Sequence, residues 1–192
     1  MTVAGSPPRG APRPVVGPGL RRVLFVVFSL FAVLSVNSAY LAAVTLAEHA
    51  SGDSLQGHFY QYMFLAHVLL GLLLIAPFVA YGALHMLRAR RRPNRRAVRV
   101  GYALFGTALI LLATGVVLTR GLPGVEIRDH VAGTVAYWLH VPTPFRVAWL
   151  FVLHRLAGRP IRWRIGGWVA AGAMAASAAG VALHAGLAPE SV

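Results

Sequence analysis

Four histidines in this chain stand at spacings that suit metal ligation. His67 and His85 bound the apolar segment HVLLGLLLIAPFVAYGALH, and His140 and His154 bound HVPTPFRVAWLFVLH. At about 100° and ~1.5 Å per residue, the fourteen residues from His140 to His154 return a side chain to within about 40° of one helix face, ~21 Å further along. The eighteen residues from His67 to His85 make five full turns, which is the same face again, ~27 Å away. Each segment thus offers two imidazoles at two levels. Two imidazoles that face each other across a helical bundle supply what a low-spin b-type haem requires, one axial ligand on each side of the iron.

The elements that must carry these residues are read from the apolar runs. Of 192 residues, 57% are apolar, and they fall in runs too long for a soluble core. The expected fold is an all-α integral membrane protein with five transmembrane helices. Helix one spans Val23 to about Leu46, helix two Phe59 to Leu87, helix three Val100 to Leu118, helix four Val131 to Leu156 and helix five Ile165 to Leu187. Residues 1–20, rich in Pro, Gly and Arg, read as a disordered cytoplasmic tail, residues 21–188 as one membrane domain and residues 189–192 as a short outer tail. Helix one is far longer than a signal-peptide core and is followed by no clear small-residue cleavage site, so it is expected to stay in the mature protein.

Charge orients the spans. All 18 basic residues are arginines, and fifteen of them fall in the amino-terminal segment and in the clusters RARRRPNRRAVR and RLAGRPIRWR. Arg120 and Arg128 lie on the other side, with all five acids, Glu48, Asp53, Glu126, Asp129 and Glu190. The positive-inside rule then places the chain in the cytoplasmic (inner) membrane with its amino terminus in the cytoplasm and its carboxyl terminus outside. The net charge of +13 is explained by topology, and no nucleic-acid partner is needed. The chain has no cysteine, which excludes disulfides, thiolate metal sites, iron–sulfur clusters and covalent c-type haem.

With helices two and four both running inwards, His67 and His140 share the outer level and hold one haem iron, while His85 and His154 share the inner level and hold a second. Gly71 and Gly82, one turn from His67 and His85, would let a flat macrocycle lie against the backbone. Arg146, inside helix four, costs at least ~2.5 kcal/mol at that depth unless paired. A haem propionate would pair it; the plainer alternative is that it caps carbonyls freed by Pro142 and Pro144. His49, His58, His130 and His184 read as interfacial polar residues, or as contacts for a quinone or an outer partner's haem. An ungapped match of Arg99–Thr119 with Arg164–His184 suggests that helices two and three, and four and five, are copies of one hairpin and form a haem-binding bundle; chance likeness between apolar helices is the alternative.

These spacings, with the HV elements at His67 and His140, resemble the dihaem b-type membrane cytochromes that serve as cytochrome b subunits of respiratory formate dehydrogenases, nickel-iron hydrogenases and nitrate reductases. The resemblance covers helices two to five. Helix one, with no internal histidine, departs from members that place a ligand there. The resemblance implies two b-type haems and an electron-transfer subunit of a quinone-linked oxidoreductase, which relays electrons between the quinone pool and a partner protein. Because the acids and the carboxyl terminus face outwards, the expected partner is an extracytoplasmic redox protein such as a multihaem c-type cytochrome. No hydrolase or P-loop motif occurs. Two readings from other classes stand beside this one, a small proton or anion channel lined by the histidines and Arg146, and a cofactor-free membrane anchor of a redox complex.

Overall fold

The computed structural model describes residues 17–119, 130–158 and 163–187, and among these residues the protein is all-helical. Six helices follow one another, α1 (Pro18–Ser51), α2 (His58–Ala89), α3 (Arg95–Leu118), α4 (His130–His140), α5 (Thr143–Gly158) and α6 (Trp163–Leu187). The first three are each long and apolar enough to cross a membrane. Arg120, Glu126, Arg128, Asp129, Arg159, Arg162 and Glu190, which entered the charge reading, lie outside the described residues, as does residues 1–16 of the expected tail.

The helix ends follow from local chemistry. α1 begins with Pro18 at its first position, within the stretch expected as tail, because proline's fixed φ and missing N–H suit the first turn. It ends at Gly52, whose φ of 78° is the left-handed cap that returns its N–H to Glu48 O at 2.9 Å. The Glu48 carboxylate then accepts from Leu55 N at 2.9 Å and from Gln56 Nε2 at 3.3 Å, which ties the short connection to α2. α3 starts five residues before the apolar run does, because Asn94 caps it: the Asn94 side chain accepts from Ala97 N at 3.0 Å and donates to Ala157 O at 2.7 Å.

Two expectations are corrected. The single helix four is two helices, separated by a turn at Val141–Pro142. Pro142 and Pro144 lack the N–H groups that would continue the helical ladder, and Arg146 N reaches Pro142 O only at 3.4 Å. The expected bundle of helices two to five is also re-partnered. The tight pairs are α1 with α2 and α3 with α4 and α5, joined by α2 against α3, while α6 packs along α1 and touches α2. α6 does not close a hairpin with α5 among the described residues, so the second copy of the supposed repeat does not form as a packed unit.

The packing is antiparallel where it matters for position. Asn37 meets Met63, Thr114 meets His140 and Asn94 meets Ala157. One end of the bundle therefore gathers the start of α1, the end of α2, the start of α3 and the end of α5, with Arg21, Arg22, Arg88 to Arg99 and Arg155. Glu48 and Asp53 lie at the opposite end. The core is narrow. Among the described residues Tyr40 is its one large, fully buried side chain, whereas Phe25, Phe145 and Trp168 are each about three-quarters exposed. So many large apolar side chains turned outwards need an apolar surrounding.

Candidate functional site

α2 does not pack directly on α4 or α5. Histidines bridge that gap at two levels. His67 on α2 faces His140 at the end of α4, with ring centroids 6.3 Å apart and planes at 79°. His85 on α2 faces His154 on α5 with the same values, 6.3 Å and 79°. The shorter chain interval, from His140 to His154, contains the turn at Val141–Pro142, where a non-helical residue can rise by up to ~3.3 Å in place of ~1.5 Å. That break offsets part of the four-residue difference between the two intervals.

Hydrogen bonds settle which nitrogen is free in three of the four rings. The buried Asn37 donates from Nδ2 to Met63 O at 2.9 Å, which turns its Oδ1 towards His67 Nδ1 at 3.1 Å. An amide oxygen can only accept, so His67 carries its proton on Nδ1. Ser38 Oγ, whose proton goes to Leu34 O at 2.7 Å, stands 3.4 Å from the same nitrogen. On the facing side Thr114 Oγ1 gives its proton to Ile110 O or Leu111 O, at 2.9 and 3.0 Å, and so accepts from His140 Nδ1 at 3.1 Å. His154 Nδ1 donates to Ala97 O at 3.1 Å. These three rings are held in the tautomer that leaves the Nε2 lone pair unengaged, the arrangement of metal-ligating histidines, whose other nitrogen is anchored by an oxygen. His85 differs: its Nδ1 is buried without a hydrogen-bond partner among the described residues, and its ring stacks on Tyr81 at 5.3 Å and 13°.

Glycines of α3 seat the rings on that helix's side. A Cβ on Gly115 would stand 3.1 Å from His140 Cε1, and one on Gly101 would stand 3.2 Å from His154 Cε1 and 3.3 Å from its Nδ1. A Cβ at either position would require the imidazole to yield by a few tenths of an ångström. Gly101 and Gly115 are fourteen residues apart, the same interval as the two histidines they touch.

The remaining expected residues are placed as follows. A Cβ on Gly71 would meet nothing within 4 Å, so this glycine borders open space. Gly82 is covered by the ring of Phe105, which itself stacks on Phe78 at 5.6 Å, so the face that Gly82 presents is filled by a side chain. The Arg146 side chain is exposed and makes no hydrogen bond or ion pair among the described residues. His49, His58 and His130 are exposed at helix ends. His184 on α6 bonds through Nδ1 to the hydroxyl of Tyr40 at 2.8 Å, and a Cβ on Gly180 would stand 3.3 Å from the Tyr40 ring. This contact locks α6 to α1.

Sequence reasoning missed Asn37, Ser38, Thr114, Ala97, Gly101 and Gly115. Asn37 did carry a signal, since an amide within an apolar run is costly unless it serves a partner. The matched interval of Gly101 to Gly115 and His140 to His154 was a second. Compared with known protein families, curated proteins and solved structures, the chain matches none of them.

Proposed function

We propose that the protein is a membrane electron carrier that binds two b-type haems, one between His67 and His140 and one between His85 and His154. The observation that carries this reading is the repeated geometry of the pairs. With metal–imidazole bonds of about 2 Å, and a ring centre about 1.1 Å behind the ligating nitrogen, two imidazoles trans on one iron have centroids about 6.3 Å apart. Both pairs stand at 6.3 Å. Among the described residues no three metal-capable side chains cluster, so each pair contributes two ligands, and a metal that brings a plane of four of its own fits between them.

Haem iron supplies one-electron exchange between its ferric and ferrous states. The chain's part is to hold and tune. His67, His140 and His154 present Nε2 because Asn37, Thr114 and the Ala97 carbonyl hold Nδ1–H, while Gly101 and Gly115 admit the rings. Arg146, a cation with no partner among the described residues, is assigned to a propionate of the outer haem. Gly71 is assigned to the open space beside the same site.

The apolar exterior and the three long apolar helices support insertion in a membrane, with α4 and α5 together as a fourth span and α6 as a fifth. The arginine-rich end is assigned to the cytoplasmic side. Electrons then pass between the quinone pool and an extracytoplasmic redox protein. The purified protein tests this directly. Two haems per chain with reduced-minus-oxidised bands of bis-histidine type are expected; His85→Ala or His154→Ala removes the inner one, and His67→Ala or His140→Ala the outer. A haem-free protein from haem-replete cells refutes the reading.

A further inference from the structure

The two levels are built unequally, and the difference originates on α1, the helix with no ligand. Resting on the two-haem reading, we propose that Asn37 is a positioning residue that makes His67 a stronger donor and holds the outer iron at the lower potential of the two. Donation of Nδ1–H to a fixed acceptor gives an imidazole partial imidazolate character and raises its basicity as a ligand. A more basic ligand favours ferric over ferrous iron.

At the outer level both rings have such an acceptor, Asn37 Oδ1 for His67 and Thr114 Oγ1 for His140, each at 3.1 Å. At the inner level, among the described residues, His154 has one, the Ala97 carbonyl, and His85 Nδ1 is buried with none. Asn37 cannot turn away, because its Nδ2 is committed to Met63 O, and it is 4% exposed, so water does not compete for its oxygen. Fixed charge on balance acts in the same sense. Arg155 follows His154 directly and Arg88 stands three residues beyond His85, two cations that favour the reduced state of the inner iron against the single Arg146 assigned to the outer haem.

The test is a potentiometric titration of the full-length protein with both haems bound, monitored by absorbance and electron paramagnetic resonance. The outer centre is assigned as the one lost in His140→Ala. In the unaltered protein this centre is expected to titrate below the inner one. Asn37→Leu removes the acceptor, and second-sphere losses of this kind change metal affinity by about tenfold or more. A tenfold change in the preference for ferric over ferrous iron corresponds to a rise of about 59 mV in the outer potential. Asn37→Asp keeps an acceptor oxygen: its protonated form can donate to Met63 O as Nδ2 does, and its ionised form adds negative charge beside His67, so either form leaves the outer potential at or below that of the unaltered protein. The inner potential stays put in both.

A merely structural Asn37 predicts shifts of the same sign in the two variants, and that result overturns the proposal. So does an outer centre that titrates above the inner one, or a protein with two haems whose outer potential is unmoved by Asn37→Leu. Absence of haem altogether would instead defeat the two-haem reading on which this inference rests.

Discussion

Adding one methyl group at Gly101 separates the structural demands of α3 from the demands of the site it serves. In a helix interior Gly→Ala favours folding by roughly 0.5–1 kcal/mol, because alanine has less backbone entropy to lose. The Gly101 site opposes that gain, since the new Cβ would stand 3.2 Å from His154 Cε1 and 3.3 Å from Nδ1, and in van der Waals contact with Met86 Cε at 3.6 Å. The ring must yield by a few tenths of an ångström, and its bond to Ala97 O is already 3.1 Å long. Overpacking of this kind costs about 1–3 kcal/mol, equivalent to about a 5- to 150-fold loss of haem affinity if the cost falls on the occupied geometry. Gly115→Ala makes the same test at the outer level, where the Cβ would meet His140 Cε1 at 3.1 Å. Gly106→Ala is the control, because a Cβ there meets nothing within 4 Å. Haem titrated into the detergent-solubilised apoprotein should therefore show Gly101→Ala weakening only the inner site and Gly115→Ala only the outer, with Gly106→Ala weakening neither. Thermal unfolding of the apoproteins should show no loss of stability in Gly106→Ala. Unchanged inner affinity in Gly101→Ala, or equal loss at both sites in either variant, refutes the argument.

Arg146→Leu should weaken the outer haem or lower its potential while the inner haem changes little, because loss of a nearby cation disfavours the reduced state; Arg146→Lys keeps the charge without the bidentate fork and should retain part of the effect, measured by the same titration. If both potentials are unmoved by Arg146→Leu, the assignment of Arg146 to the outer haem is refuted. Thr114→Val is nearly isosteric and removes the hydroxyl that accepts from His140 Nδ1–H at 3.1 Å, leaving the Leu111 carbonyl to hold the ring, which costs about 0.5–1.5 kcal/mol and should appear as weaker outer haem binding with the inner site intact.

What could be read from the sequence is what a single helix determines by itself. The spacing of His67 to His85 puts that pair on one face of α2, while His140 and His154 fall on α4 and α5, and α3, packed on α2 and on both of those helices, sets the two pairs opposite each other. Pro142 and Pro144 announced carbonyls freed after His140, though helix four was expected to run through them unbroken and is instead two helices. Partnership between helices was less legible. α1 through α6 are apolar on most sides, so periodicity does not say which face meets which neighbour, and the Tyr40–His184 bond that ties α6 to α1 joins residues 144 apart in sequence. Asn37 was passed over for the same reason: its meaning depends on Met63 and His67, both on another helix. Gly82 shows the converse, a small residue one turn from a histidine whose open face is filled by Phe105.

Electron paramagnetic resonance of the fully oxidised protein tests the central claim most directly, because it reads the number of haem irons, their axial ligands and the angle between the ligand planes together. Both histidine pairs stand at 79°. The account therefore predicts two low-spin ferric haems per chain, each with the strongly anisotropic signal of near-perpendicular axial imidazoles, and each lost separately on substitution of its own pair. A protein without haem, a single centre, or high-spin iron lacking a second imidazole would contradict it.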